Sequence, residues 1–148
     1  QIEERVSKLL NIPYSFAEFM QILRYSPGQY YKVHHDQNCE HDSHQGARLL
    51  TFFMYLNDVE DNAGGETVFP QLNISVKPKK NSAILWNSIR DSSPKTDEPL
   101  THHEAKPVLK GYKYAANLWF HTGEFRTLSK LGCDLKHITN YNPMKNEL

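Results

Sequence analysis

The chain has 148 residues, with 17 Lys and Arg against 17 Asp and Glu, 39% hydrophobic residues, eight His and two Cys. That is one domain's worth of chain, long enough to bury a core without disulfide or metal staples. A net charge of zero with no dense Lys/Arg block disfavours nucleic acid and anionic membrane as partners, and no run approaches the roughly 18 apolar residues of a membrane span. The opening Gln1-Ile2-Glu3-Glu4-Arg5 does not read as a signal peptide, so a soluble domain is expected.

Residues 2–10 place Ile2, Val6, Leu9 and Leu10 at helical spacing, with Glu3 and Glu4 in the first turn and Pro13 beyond the end, which predicts a short amphipathic helix. From there the texture changes to short apolar or alternating runs. Strands are expected near 19–25, 30–36, 48–56, 66–69, 74–77, 83–87, 100–104 and 113–121. Turn residues at Pro27-Gly28, Gly64-Gly65, Pro78-Lys79-Lys80-Asn81 and Lys110-Gly111 separate them. So many short strands predict a mainly β barrel or jelly roll, with two polar loops, 37–47 and 90–99, at its rim. The tail from Leu128 reads as a short helix or an irregular segment.

Cys39 and Cys133 stand in no CxxC pattern and allow one disulfide or two free thiols. The C-terminal Lys145-Asn146-Glu147-Leu148 differs at one position from the Lys-Asp-Glu-Leu retention address, a weak pointer to the endoplasmic reticulum or secretory lumen, with the cytoplasm as the other setting.

The chemistry concentrates in the histidines. His34 and Asp36 lie two apart on an expected strand and therefore point to one side, while His35 points away. His102 or His103 offers a third ligand from another strand. Two imidazoles and a carboxylate on a rigid barrel form the facial triad of non-haem Fe(II) oxygenases, which leaves positions open for cosubstrate and dioxygen. Lys113 opens the strand Tyr114-Ala115-Ala116-Asn117-Leu118-Trp119-Phe120-His121, and a cation in so apolar a run needs an anionic partner. A dicarboxylate cosubstrate would provide one. Trp86, in Ala83-Ile84-Leu85-Trp86, reads as core, Glu66 as a turn residue, and His41, His44 and His137 as solvated.

Five stretches carry a closer likeness. They are Leu23-Arg24-Tyr25-Ser26-Pro27-Gly28-Gln29-Tyr30-Tyr31-Lys32-Val33-His34-His35-Asp36, then Arg48-Leu49-Leu50-Thr51-Phe52-Phe53-Met54-Tyr55-Leu56-Asn57-Asp58-Val59, Gly64-Gly65-Glu66-Thr67-Val68-Phe69-Pro70, Val76-Lys77-Pro78-Lys79-Lys80, and His103-Glu104-Ala105-Lys106-Pro107-Val108-Leu109-Lys110-Gly111-Tyr112-Lys113. In order and spacing this set resembles the 2-oxoglutarate- and Fe(II)-dependent dioxygenases, and among them the prolyl 4-hydroxylases. The resemblance implies a double-stranded β-helix (jelly-roll) barrel with a short N-terminal helix. It covers about 19–125, so 1–148 is expected to be a single catalytic domain that lacks the N-terminal strands and helices usual in the family.

The same resemblance implies His34, Asp36 and His103 as iron ligands, His103 being preferred to His102 because the family's ten-residue step then reaches Lys113. It implies Lys113 as the partner of the far carboxylate of 2-oxoglutarate, and Tyr25, Tyr55 and Thr51 as further cosubstrate-pocket residues. Tyr31, Arg48 and Trp119 are the candidates for a peptide groove. The activity implied is C4 hydroxylation of peptidyl proline, with Fe(II), 2-oxoglutarate, O2 and L-ascorbate as cofactors, cosubstrates and reductant, and succinate and CO2 as products. A proline-containing extended peptide is the implied partner. Two alternatives stand beside it: another hydroxylase specificity on the same scaffold, and a metal-binding barrel without turnover.

Overall fold

A computed structural model of the chain describes residues 1–37, 43 and 45–127. Cys39, Cys133, His41, His44, His137, the segment from Leu128 and the C-terminal Lys-Asn-Glu-Leu lie outside the described residues.

Helix α1 spans Ile2–Leu10 and ends where Asn11 turns into the left-handed region at φ 54°. Of its expected apolar face, Val6 and Leu10 join the core together with Ile12, whereas Ile2 and Leu9 stay exposed. Among the described residues ten strands follow: β1 Gln21–Tyr25, β2 Tyr31–His34, β3 Arg48–Tyr55, β4 Thr67–Phe69, β5 Ile74–Val76, β6 Ala83–Asn87, β7 Ile89–Arg90, β8 Ser93–Asp97, β9 His103–Ala105 and β10 Lys113–His121. They form two four-stranded antiparallel sheets, in the orders β1-β10-β3-β6 and β2-β9-β4-β5, plus the hairpin β7-β8. This is the jelly-roll arrangement that the alternating runs and turn residues predict.

Two expectations need correction. The stretch 90–99 is not an open loop, because Ile89 pairs with Asp97 and Arg90 with Ser93. These strands are polar and bulged, so no apolar alternation announces them. The strand expected from residue 100 starts only at His103, since Pro99–Thr101 forms a 3-10 turn whose Leu100 N–H is capped by the Glu98 carboxylate at 3.1 Å. Proline supplies the fixed φ that favours such a turn.

The strand at the middle of the first sheet organises the core. On one face β10 carries Ala116, Leu118 and Phe120, all without solvent exposure, and of these Leu118 and Phe120 pack with Leu50, Ala17 and Val6 beneath α1. On the other face it carries Lys113, Ala115, Trp119 and His121. Ala115 meets Phe53, Tyr55 and Trp86 of its own sheet and Phe69 of the facing one, so this cluster joins the two sheets. A third cluster, Tyr25, Ala105 and Val108, joins them beside β1. Gly64 is needed at the turn into β4: its φ is +74°, and a Cβ there would stand 2.1 Å from the Pro107 carbonyl oxygen. This close approach brings β4 against the chain leading to β10.

Leu118 has no exposed surface and lies between α1 and the sheet. We expect Leu118→Ala to lower the unfolding free energy by about 2–5 kcal/mol, read from the urea midpoint at constant m value.

Candidate active site

Pairing of β2 with β9 sets the first part of the site, because His34 and His103 are direct cross-strand partners. Their rings lie 4.3 Å apart, and Asp36, just beyond β2, turns its Oδ1 to 3.7 Å from the Nε2 of each. One ligand atom from each of the three lies within 4.8 Å of the others. His34 Nδ1 hydrogen-bonds the Lys32 carbonyl and His103 Nδ1 the Thr101 carbonyl, both at 2.9 Å. A carbonyl only accepts, so each Nδ1 carries the proton and each Nε2 presents its lone pair toward the centre. Burial, reinforced by the neighbouring His103 imidazole, pushes His34 down to about 4 and keeps it neutral. Two imidazoles with Nε2 turned to the centre and a buried carboxylate fit a divalent iron or a similar ion with positions left open.

The choice between His102 and His103 is made by the fold. His102 faces His35, ring centroids 4.9 Å apart, and its Nδ1 is held by the Pro99 carbonyl, away from Asp36. His35, one residue beyond β2, turns away from the triad, with Nε2 2.9 Å from the Glu98 carbonyl.

Thr51, Phe53 and Tyr55 alternate along one face of β3. The Thr51 hydroxyl donates to Asp36 Oδ2 at 2.6 Å, which ties it to the carboxylate of the triad. Tyr55 donates to Thr67 Oγ1 at 2.7 Å, and Thr67 Oγ1 in turn lies 3.5 Å from Lys113 Nζ. Tyr25 is the direct cross-strand partner of Lys113.

Lys113 is 1% exposed. Its ammonium lies 5.3 to 5.6 Å from the ring centres of Tyr25, Phe53 and Tyr55, and no carboxylate of the described residues is at ion-pair distance from it. Burial pulls its pKa from 10.5 to about 8, with the Glu66 charge pulling the other way. Tyr25 and Tyr55 are pushed up to about 12, first by burial, and stay protonated donors. A cationic end, three aromatic walls and two hydroxyls make a receptor for one end of an anion.

A cavity of about 490 Å3 extends from the triad and is lined by Tyr25, Tyr31, Arg48, Phe53, Trp86 and Trp119, among others. The three candidates for a peptide groove are thus all on its wall. The Tyr31 ring centre is 3.9 Å from that of His34. The Arg48 guanidinium stacks on Trp119 at 4.0 Å, donates to the Asp36 carbonyl at 3.0 Å and binds Glu18 Oε1 at 2.6 Å. Burial pushes the Glu18 carboxyl up, but hydrogen bonds from His121 and Arg48 outweigh it and hold the carboxyl below its usual range. Trp86, expected as core, does pack on Phe53 and Phe69, yet its ring also lies 4.7 Å from His103 and forms cavity wall.

Sequence reasoning missed Thr67, Phe53 and Glu18. Phe53 was open to it, since it sits between Thr51 and Tyr55 on the same face of one strand. Thr67 and Glu18 join the site only through contacts with distant strands, for which the local sequence carries no signal.

The profile of the 2OG-Fe(II) oxygenase superfamily matches residues 20–121. Prolyl 4-hydroxylase 5 of Arabidopsis thaliana is 37% identical over 147 residues, covering 84% of this chain and 49% of that protein. The human prolyl 4-hydroxylase subunit alpha-1 is 37% identical over 142 residues, covering 88% of this chain and 26% of that one. Among solved structures, the viral collagen prolyl hydroxylase of Paramecium bursaria Chlorella virus-1, in complex with 2OG, superimposes with a TM-score of 0.70 at 34% identity, covering 81% of this chain and 70% of that one. The chain spans about half the length of the viral and plant relatives it matches.

The drop of the Lys113 pKa from 10.5 to about 8 corresponds to about 3 kcal/mol of cost for holding the ammonium in the unliganded fold. The folded pKa is below the unfolded one, so this cost is complete below pH 8 and fades as pH rises toward 10.5. We expect Lys113→Met to raise the neutral-pH unfolding free energy by up to about 3 kcal/mol, less what the aromatic rings return, and to flatten the gain in stability between pH 8 and 10.5. Urea unfolding of both proteins at several pH values measures it.

Proposed function

Because this chain belongs to the 2OG-Fe(II) oxygenase superfamily, we propose that it is a prolyl 4-hydroxylase, which oxidises 2-oxoglutarate to succinate and CO2 while placing a hydroxyl on C4 of a peptidyl proline. The observation that carries this reading is Lys113, a buried ammonium without a carboxylate partner among the described residues, deep in the barrel that holds the His34, Asp36 and His103 triad. A purely structural metal site has no use for such a cation, and zinc normally takes a closed four-ligand shell.

In this reading His34 Nε2, Asp36 Oδ1 and His103 Nε2 hold Fe(II), which supplies the activation of dioxygen. Lys113 takes the far carboxylate of 2-oxoglutarate, and Thr67 with the Tyr55 hydroxyl lines the same end. Tyr25 walls the ammonium from water. Tyr31, Trp119 and the stacked Arg48 orient the peptide at the cavity wall, where aromatic surfaces suit the apolar face of a proline ring. The chain thus contributes ligand geometry, orientation and exclusion of water. L-Ascorbate serves as the external reductant that restores ferrous iron after uncoupled turnovers.

The decisive assay follows succinate from 2-oxoglutarate with Fe(II) and ascorbate, with and without a proline-rich peptide, and the peptide's mass. Peptide-stimulated succinate with a gain of one oxygen on proline is the expected result. A folded, iron-loaded protein without turnover would leave a metal-binding barrel as the better account. His34→Ala and Asp36→Ala should each abolish turnover with the circular dichroism spectrum unchanged.

Lys113→Ala should raise the 2-oxoglutarate requirement by about 1.5–3 kcal/mol, roughly ten- to a hundredfold, with a smaller effect on the peptide KM. In the parent, kcat/KM for 2-oxoglutarate should decline as pH rises through about 8, since the free enzyme then loses the Lys113 charge. A profile flat across this range in the parent would place the anchor elsewhere.

A further inference from the structure

We propose that Thr51 is a positioning residue that restricts Asp36 to a single metal-binding oxygen, Oδ1, and so keeps one more coordination position open for cosubstrate. The proposal rests on the functional reading above for what fills that position. Its geometric part concerns the metal alone.

The two oxygens of Asp36 are in different circumstances. Oδ1 stands 3.7 Å from both His34 Nε2 and His103 Nε2, at the centre of the ligand set. Oδ2 accepts the Thr51 hydroxyl at 2.6 Å, short for a hydrogen bond between oxygens and in the range of charge-assisted ones. The direction is set by chemistry, because an ionised carboxylate has no proton to give.

This bond is sheltered. Thr51 has no solvent exposure and Asp36 is 7% exposed. In the register of the first sheet Thr51 lies directly between Trp119 on β10 and Trp86 on β6, and both indoles border the cavity. Water therefore has little access to replace the hydroxyl. Turning the Asp36 carboxylate so that both oxygens face an ion would break this bond and leave the Thr51 hydroxyl buried without an acceptor, which is costly. The backbone of Asp36 is held separately, by Arg48 Nη1 on its carbonyl at 3.0 Å, so Thr51 acts on the orientation of the carboxylate and not on its place in the chain.

With valine at this position the shape is kept and the donor is lost. Among the described residues Oδ2 then has no hydrogen-bond partner, and a metal ion becomes its best one. Asp36 would chelate through both oxygens and occupy two positions of the ion, leaving one fewer for the keto acid and dioxygen. Serine restores the donor with a smaller side chain.

The test compares the parent, Thr51→Val and Thr51→Ser as Mn(II) forms, first without cosubstrate. Crystal structures give the number of Asp36 oxygens on the ion, and water-proton relaxation counts the exchangeable waters. The expected result is one oxygen in the parent and the serine variant, two in the valine variant, and one fewer exchangeable water there. Titration with 2-oxoglutarate should then show affinity lower by about 10–100-fold in the valine variant and recovered in the serine variant, with Mn(II) affinity not reduced. Two-oxygen ligation in the parent overturns the proposal, and so does a valine variant that keeps one oxygen and the full count of waters. If the valine variant does not fold, the parent and serine structures still decide, since two-oxygen ligation in either is fatal. A parent with single-oxygen ligation that binds no 2-oxoglutarate would refute the functional reading and leave the role of Thr51 standing.

Discussion

Much of this structure is arranged around one unfavourable charge, the ammonium of Lys113 buried between two facing β sheets. A charge so placed loses most of its hydration, and the fall of its pKa to about 8 records the strain on the charged form. Tyr25, Phe53 and Tyr55 turn their rings to it, and Thr67 offers a single long contact at 3.5 Å. These contacts soften the cost without cancelling it, because none carries a full negative charge. Among the described residues the ammonium is thus left without a full counter-charge. Gly65, in the double glycine before β4, adopts φ +79° and packs beside the stem of Lys113.

The metal-binding end relies on the opposite strategy, in which each polar atom already has its partner. The carbonyls of Lys32 and Thr101 select the tautomers of His34 and His103, and Thr51 occupies the spare oxygen of Asp36. Arg48 connects this end to the outer cavity, with one donor on the Asp36 backbone, its plane on Trp119, and Glu18 and His121 behind it. Pre-ordering of this kind limits the reorganisation needed when an ion and an anion enter. The two ends also divide the labour between sheets. Lys113, Thr51, Tyr25 and Tyr55 stand on the first sheet, His34, His103 and Thr67 on the second, and the site exists only because the sheets face each other.

The strands carrying the site were legible because their signals are local. Alternation along 48–55 and 113–121, bounded by glycine and proline turns, sets both the strands and the faces of their side chains. The strand expected over 30–36 ends at His34, so Asp36 reaches the site from the bend beyond β2 and not by strand alternation. The helix at 2–10 was legible from its spacing, though Ile2 and Leu9 on its expected apolar face remain exposed because the sheet beneath α1 reaches only Val6 and Leu10. The β7-β8 hairpin had no such signal, since apart from Ile89 and Pro94 its residues are polar and its register shifts between Ile89 and Arg90.

By itself the sequence determined a set of chemically competent residues, His34, Asp36, Lys113 and a histidine at 102 or 103, and the strand periodicity that turns Lys113 inward. It could not assign Thr51 to Asp36, set Thr67 between Tyr55 and Lys113, or bring Trp86 against His103. Those contacts join residues far apart in the chain, and they depend on strand register and on the facing of two sheets. Tertiary structure decided them because register is fixed by the burial of whole faces at once, a property of many residues together that no short stretch of sequence contains.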